Sequence, residues 1–191
     1  MVTAMHQKFA VKALAQIIQR NIELVGMPNW TQEEIKFAEE VQKSIGKEES
    51  GLKREIEPLK APPDVFIGGA STDVGDVSLV APTATLLFPV MIPGSPGHHW
   101  SIVASSGSSI GHKGLTAGAK VMACTAIDLL TQPEKLLEVR SEFERLSNEH
   151  PYRSFLPQDM WPDPDFYKTE MERWRPLMEP YYKELTIESQ R

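Results

Sequence analysis

The sequence has little cysteine and no long apolar run. Its single cysteine, Cys124, cannot form a disulfide within the chain, so a reducing compartment is the expected setting. No stretch reaches the roughly 18 consecutive apolar residues that a membrane helix needs. The first twenty residues also lack the charged start, apolar run and cleavage site of a secretory signal. These absences predict a cytoplasmic protein that does not contact a membrane.

Basic residues are also too few for a general nucleic-acid binder. The 191 residues include 20 Lys and Arg against 26 Asp and Glu, which gives a formal net charge of −6. Nothing would offset repulsion from a phosphate backbone, so no nucleic-acid partner is expected. Hydrophobic residues make up 41% and charged residues 24%. This is an ordinary globular balance, which excludes a mostly disordered chain.

One long segment, residues 61–110, contains no Lys or Arg, and its only acidic residues are Asp64, Asp73 and Asp76. Two apolar runs inside it, Val77–Val80 and Thr85–Ile92, are bounded by Gly and Pro, which is typical of strands covered on both faces. A surface segment would carry Lys or Glu to stay solvated. We therefore predict that this segment lies in the interior.

Helical periodicity occurs on both sides of this segment. Thr31 and Glu34 have the spacing of a capping box, in which each side chain accepts a hydrogen bond from the other residue's backbone N–H. Two apolar strands between helices predict an α/β fold, with helices packed on a partial mixed sheet. Apolar residues recur at helical spacing over 10–25, 31–45, 115–130 and 133–146.

Two regions of the chain differ in composition. Residues 1–150 carry the predicted helices and strands and form one predicted domain. Residues 151–191 are rich in aromatic residues and proline. They are predicted to form a C-terminal arm that packs on this domain or on a partner.

Three polar clusters in or beside the charge-poor segment are candidate site elements. The first, Gly68–Asp76, places Asp73 and Asp76 three residues apart after two glycines. A carboxylate at this position can ligate a metal ion, orient a histidine or cap local N–H groups. An Asx turn is an equally good interpretation.

The other two clusters contain histidines. Gly94–Trp100 includes His98 and His99, and neutral imidazole is the commonest metal ligand. Because successive side chains diverge, one of the pair is expected to face an ion, although a structural role explains such pairs more often. Ser105–Gly114 includes His112, which is interpreted as a helix cap. This cluster lacks the spacing of a phosphate loop and of a serine-nucleophile elbow.

Two other sets of reactive side chains are interpreted as structural. Cys124 lies in an alanine-rich helix stripe and is predicted to be a small core residue. The acidic pairs are predicted to be solvated charge, because acidic side chains are rarely buried. These pairs are Glu33–Glu34, Glu39–Glu40 and Glu48–Glu49.

The order of the motifs resembles a known family. The resemblance is carried by Gly69-Ala-Ser-Thr-Asp-Val-Gly-Asp-Val-Ser78, Gly94-Ser-Pro-Gly-His-His-Trp100 and His112-Lys-Gly114. They resemble the C-terminal part of the di-metal amidohydrolases, the aminoacylase and carboxypeptidase-like metallopeptidases. The branch of p-aminobenzoyl-glutamate hydrolase B subunits is the most similar. Val25–Glu34 resembles the segment in which the polypeptide of that branch returns to the catalytic domain after its inserted dimerisation domain.

This resemblance implies a chemistry and a set of site residues. It implies a domain that holds two zinc or manganese ions and hydrolyses the amide bond of a small N-acyl or aminobenzoyl amino acid. It assigns a metal ligand to His98, with His99 as the less favoured alternative. It also places four residues as groups that orient a ligand or form the substrate loop: Asp73, Asp76, His99 and His112.

The family's first half has no counterpart in this sequence. The His-x-Asp motif, the bridging acid and the adjacent glutamate pair do not precede Leu14, and the dimerisation insertion is missing. The chain thus resembles the C-terminal half of a metallohydrolase domain that is inactive alone. No catalytic residue is assigned, and the expected partner is a companion chain with the N-terminal half. The alternative is a non-catalytic binding or assembly protein that uses Trp161–Tyr182 as its contact surface.

Overall fold

The structure, a computed structural model, describes residues 4–61, 72–161 and 163–182. The chain divides into two compact units, residues 5–153 and residues 1–4 with 154–191. Within the described ranges a short 3-10 helix covers Glu179–Tyr181. The α-helices are α1 (Lys12–Val25), α2 (Gln32–Ser44), α3 (Val74–Val80), α4 (Trp100–Ser106), α5 (Ser109–Thr131), α6 (Pro133–Glu149) and α7 (Lys168–Met178).

The predicted α/β fold is wrong, because the described part of the chain is helical and contains no strand or sheet. Val77–Val80, predicted as a strand, belongs to α3. The Asp73 carbonyl accepts hydrogen bonds from the N–H groups of Asp76 and Val77 and so starts this helix. Apolar, β-branched residues favour strands mainly through packing against neighbouring strands. No neighbouring strand is present here, so the helix satisfies the backbone locally.

The second predicted strand, Thr85–Ile92, is an irregular segment with bends at Pro89 and Met91 and forms no ladder with another described segment; it is called the extended segment below. Its neighbour Thr83 accepts a hydrogen bond from the N–H of Val11, and Val90 donates to the carbonyl of Phe88. A strand requires a partner that supplies inter-strand hydrogen bonds. The prediction of a strand at Thr85–Ile92 is therefore wrong, because no described segment pairs with it.

The unit of residues 5–153 has two groups of buried apolar side chains. α1 contacts both α5 and α6, and α4 contacts α5. One group joins α1 to α6 and consists of Val11, Ala13, Ile17 and Val139. The other joins α2 to the extended segment and to α5, and consists of Ala38, Val41, Leu52, Ile92 and Ile110.

Helix α5 packs through a face of small residues. A Cβ atom added at Gly114 would lie 2.1 Å from the carbonyl oxygen of Pro89, and one at Gly118 would lie 2.7 Å from the Phe88 ring. The backbone of the extended segment therefore touches this helix where only glycine fits. Much of the apolar stripe that the sequence predicts over 115–130 faces solvent, since Met122 is 64% and Leu130 84% exposed, whereas Leu129 packs against the core group of α1 and α6.

Helix α5 also begins earlier than predicted, at Ser109 rather than Leu115, and is the longest described helix. The serine-rich Ser105–Gly114 cluster is helical except at Gly107 and Ser108, because it contains the end of α4 and the start of α5. No helix in the described ranges combines the length and the apolar character needed to cross a bilayer.

The second unit contains α7 and the 3-10 helix, which contact each other. No residue of α7 is buried within the structure. Several aromatic side chains of this unit are exposed, with Trp161 and Tyr181 each 84% accessible, and the rings of Phe166 and Tyr167 meet edge to face. The boundary at residue 150 and the packing of the arm stay predictions.

The close approach at Gly114 gives a testable prediction. Alanine at this position should destabilise the fold by about 2 kcal/mol, because its methyl group overlaps backbone atoms of Pro89. Alanine is the better helix former by about 1 kcal/mol, so helix propensity alone predicts the opposite sign. Urea unfolding of Gly114→Ala measures the difference.

The matched control is Gly97→Ala, where an added Cβ meets no atom within 4 Å. Its unfolding free energy should stay within about 0.5 kcal/mol of the parent. Equal stability of the parent and Gly114→Ala would contradict the packing described for this helix.

Candidate functional site

The loop that carries the predicted metal ligand lies between the extended segment and α4. Gly94 opens it with a φ of +83°, and His98 has a φ of +56°. His98 is the only residue other than glycine with a positive φ in the described part of the chain. This conformation is uncommon for residues with a Cβ and is held by the surrounding loop. The imidazole of His98 is exposed.

Gln42 holds the base of this loop. The side chain of Gln42 is fully buried, and its Nε2 donates to the carbonyl oxygens of Gly51 at 3.0 Å and Pro93 at 3.2 Å. Its Oε1 accepts a hydrogen bond from the N–H of Gly51 at 2.9 Å. Since Pro93 directly precedes Gly94, this amide ties α2 to both the 46–52 turn and the start of the histidine loop.

His99 has a structural role that the sequence left open. It is the N-cap of α4, and its Nδ1 accepts a hydrogen bond from the N–H of Ser101 at 3.3 Å. The same nitrogen lies 2.9 Å from the Ser101 hydroxyl, which is itself buried. Because this nitrogen is engaged in capping, His98 is the freer of the two imidazoles.

The two aspartates of the first cluster lie at the start of α3. Asp76 accepts a hydrogen bond from the backbone N–H of His6 at 3.1 Å through Oδ2. Asp73 is the exposed N-cap residue, and its side chain makes no capping hydrogen bond. The glycine-rich part of the predicted cluster, Gly68–Ser71, lies outside the described residues.

His112 does not cap α5, as the sequence interpretation proposed. The side chain of Ser108 does so and accepts a hydrogen bond from the N–H of Ile110 at 3.2 Å. His112 lies inside the helix, where its N–H donates to the carbonyl of Ser108, and its imidazole is exposed.

The structure does not join the predicted site residues into one centre. No hydrogen bond or ion pair between described residues connects His98, Asp73, Asp76 and His112 to one another. Within the same ranges, no group of three or more His, Cys, Asp or Glu side chains is placed to hold a metal ion. A zinc site normally needs three or four protein donors. The described residues therefore do not by themselves fit a two-ion site.

Glu34 forms a buried polar network that sequence reasoning missed. The capping box with Thr31 is confirmed, but the prediction of solvated charge is wrong for Glu34, whose side chain is only 8% exposed. Lys113 Nζ lies 2.7 Å from its Oε2, and the Ser109 hydroxyl donates to its Oε1 at 2.6 Å. Lys113 also donates to the carbonyl oxygen of Asn29.

This network changes the acidity of the Glu34 carboxyl group. Burial disfavours the charged form, but the hydrogen bonds from Lys113, Ser109 and Thr31 outweigh it and lower the pKa of Glu34 to about 2. Glu34 is therefore ionised at neutral pH and paired with Lys113. The network joins the first turns of α2 and α5 beside the serine-rich segment.

Three sequence signals could have identified these missed residues. If the capping box forms, the side chain of Glu34 points back toward the start of the helix. It then does not extend into solvent as the side chain of Glu33 does. Lys113 is the first basic residue after the charge-poor segment. Gln42 follows the buried Ala38 by four residues, so helical periodicity already places it on the inward face.

Comparison with known proteins supports an origin in an amidohydrolase-like hydrolase family. The chain is similar to the B subunit of the p-aminobenzoyl-glutamate hydrolase of Escherichia coli (strain K12), with 32% identity over 164 residues. The match covers 73% of this chain and 34% of that protein, so the chain spans about a third of the length of this curated relative. No family model and no solved structure matches the chain.

The pKa of Glu34 gives a pH-dependent prediction. Because that pKa is lowered, the ionised carboxylate stabilises the fold above pH 4.5, and this contribution is lost as the pH falls toward 2. Glu34→Gln should therefore cost about 2 kcal/mol at pH 7 and almost nothing at pH 2. Urea unfolding across this pH range measures both values. The exposed Glu33→Gln is the control, and an equal pH dependence in both variants would contradict the network.

Removing the buried amide of Gln42 gives a second prediction for this region. Gln42→Leu leaves the backbone groups of Gly51 and Pro93 without their partner and should destabilise the fold by about 3 kcal/mol. Gln16→Leu changes an exposed glutamine on α1 and should have little effect. Thermal unfolding compares the two, and equal melting temperatures would refute the role given to Gln42.

Proposed function

We propose that the chain is one part of a metal-dependent amidohydrolase that cleaves an amide bond in N-acyl or aminobenzoyl amino acids. Water adds its hydroxyl to the carbonyl carbon and a proton to the nitrogen as the C–N bond breaks, which yields a carboxylic acid and an amine. The favoured substrate is of the aminobenzoyl-glutamate type, and the chain alone is inactive. The chain supplies the C-terminal half of the catalytic domain in this proposal. The remaining catalytic residues lie on a companion polypeptide.

One observation carries this proposal, namely the similarity to the E. coli hydrolase over 73% of the chain. About two thirds of that protein lies outside the match, so a large share of its side chains has no counterpart in the aligned region. The small number of donors around the histidine loop agrees with a site that is completed by other polypeptide.

Within this proposal, His98 supplies one ligand to a zinc or manganese ion. Its imidazole is exposed at a turn whose start is anchored through Pro93, and its neighbour His99 is engaged in capping α4. Asp73, Asp76 and His112 are proposed to orient a ligand or the substrate. The remaining ligands and the proton-transfer group come from the companion chain.

The test is a complementation assay with two chains. The companion is the portion of the E. coli hydrolase chain outside the match, expressed as a separate polypeptide. We expect hydrolysis of p-aminobenzoyl-glutamate by the pair and by neither chain alone. The matched third of the E. coli protein, paired with the same companion, is the positive control. An active control pair alongside an inactive pair with this chain would refute the proposal.

The role of His98 predicts a specific loss in that assay. His98→Ala should lower the activity of the pair by about a thousandfold and reduce its bound metal, because a metal ligand is lost. His99→Ala should leave bound metal unchanged and instead lower stability by about 1 kcal/mol, because it removes a helix cap. Elemental analysis and steady-state kinetics measure both variants. Metal loss in His99→Ala alone would move the assignment to His99.

The second candidate function is that of a binding or assembly protein that kept the scaffold without the chemistry. The exposed aromatic side chains of the C-terminal unit, with Trp161 and Tyr181 as the most accessible, favour it. This function predicts a stable complex that has no hydrolase activity and is weakened by Trp161→Ala. Activity that depends on His98 would exclude it.

A further inference from the structure

An apolar groove runs beside the extended segment in the unit of residues 5–153. Its volume is about 520 Å³. One wall is the extended segment, and the other is the irregular stretch of residues 52–60. Apolar side chains dominate the lining, among them Ile22, Leu52, Ile56, Leu86, Phe88 and Val121.

The wall formed by the extended segment has free backbone groups. Within the described part of the chain, the N–H groups of residues 84–88 donate to no acceptor, and the carbonyls of 84–87 accept no hydrogen bond. Unpaired backbone groups along an extended segment are a ready template for another strand. Residues 84–88 contain no helix, turn or bend, and five residues paired as a strand span about 16 Å, the length of an ordinary short strand.

Side-chain burial along this wall alternates as it does in a strand. Thr85 and Leu87 are exposed, while Leu86 and Phe88 are partly buried. Leu87 is 87% accessible, the highest value among the exposed large apolar side chains described. An apolar side chain this exposed beside free amides indicates a surface that is covered in the assembled protein.

We propose that the groove receives a β-strand of the companion chain, which pairs with residues 84–88 by strand addition. This inference rests on the proposed function and names the contact by which the two chains join. About two thirds of the hydrolase relative lies outside the match, which is ample length for a segment that pairs with this edge. Backbone hydrogen bonds give such a contact its affinity, and alternate side chains give its specificity.

The rim of the groove favours a peptide over a small polar ligand. Glu57 is already paired with Lys53 and Lys60, so it does not offer a free charge to a substrate. Small-molecule sites normally add a few convergent polar groups to an apolar lining. Among the described residues of the groove, the polar groups without a partner include the backbone N–H groups of residues 84–88 and the buried hydroxyl of Ser95, and another backbone satisfies the backbone groups best.

The test is hydrogen–deuterium exchange of the full chain, alone and with the same companion polypeptide. In the free chain, the amides of residues 84–88 should exchange at close to their intrinsic rates. In the complex, every second amide should slow by at least about tenfold, because a strand pairs along one edge and bonds alternate residues. Leu87→Lys should weaken the complex by about tenfold, since a charge on an edge opposes pairing. The conservative Leu87→Val should bind within about twofold of the parent.

Each other result overturns the strand-addition proposal in a distinguishable way. An active complex in which residues 84–88 are not protected from exchange refutes strand addition but agrees with the proposed function. Protection that rises with the concentration of the chain alone assigns the groove to a second copy. Protection by p-aminobenzoyl-glutamate alone assigns it to the small molecule. The absence of a complex, with the positive-control pair assembled, removes both proposals.

Discussion

The close approach between helix α5 and the extended segment fixes the rest of the main unit. Gly114 and Gly118 let the backbone of Pro89 and the ring of Phe88 lie directly on the helix. The Ser105 hydroxyl adds a hydrogen bond of 2.7 Å to the carbonyl of Val90, which holds α4 to the same segment. An extended segment without strand partners has few other means of keeping its position. Contacts with helices therefore hold this segment in position, as hydrogen bonds to neighbouring strands would in an α/β domain.

Fixing this segment also positions the histidine loop that follows it. Ile92 is fully buried in the core group of α2, and Gln42 binds the next residue, Pro93, through its carbonyl. The turn with His98 thus begins from a rigid base, although its imidazole is exposed. Rigid support beneath an accessible side chain is the arrangement that a binding residue requires, since ordering it on binding then costs little free energy.

The sequence predicted local structure well where the information was local. The helices of residues 12–25, 32–44 and 133–149 and the capping box of Thr31 follow from periodicity and end signals within a few residues. The sheet could not be predicted correctly, because strand pairing depends on segments far apart in the chain or outside it. Val77–Val80 shows the limit, since the same apolar residues satisfy their backbone as a helix when no strand lies beside them.

The candidate site was predictable only in part, for the same physical reason. Motif order identified His98 and His99, and the structure separates their environments. Glu34 was misread, because its burial depends on Lys113, which lies 79 residues further along the chain. Burial of a charge is decided by partners brought in by tertiary structure, and a single helix face does not reveal them.

Under the proposed function, one explanation covers both the few metal donors and the unpaired backbone groups among the described residues. A site of this kind needs donors that the described residues do not bring together, and the extended segment needs hydrogen-bond partners that they do not supply. If the lack of metal donors and the lack of hydrogen-bond partners were unrelated, the two would not be expected to lie near each other in the chain. They lie instead on one continuous stretch, with the free amides of residues 84–88 between ten and fourteen residues before His98. Under the two proposals, the polypeptide that pairs with this edge also supplies the missing donors, so assembly and completion of the site become a single event.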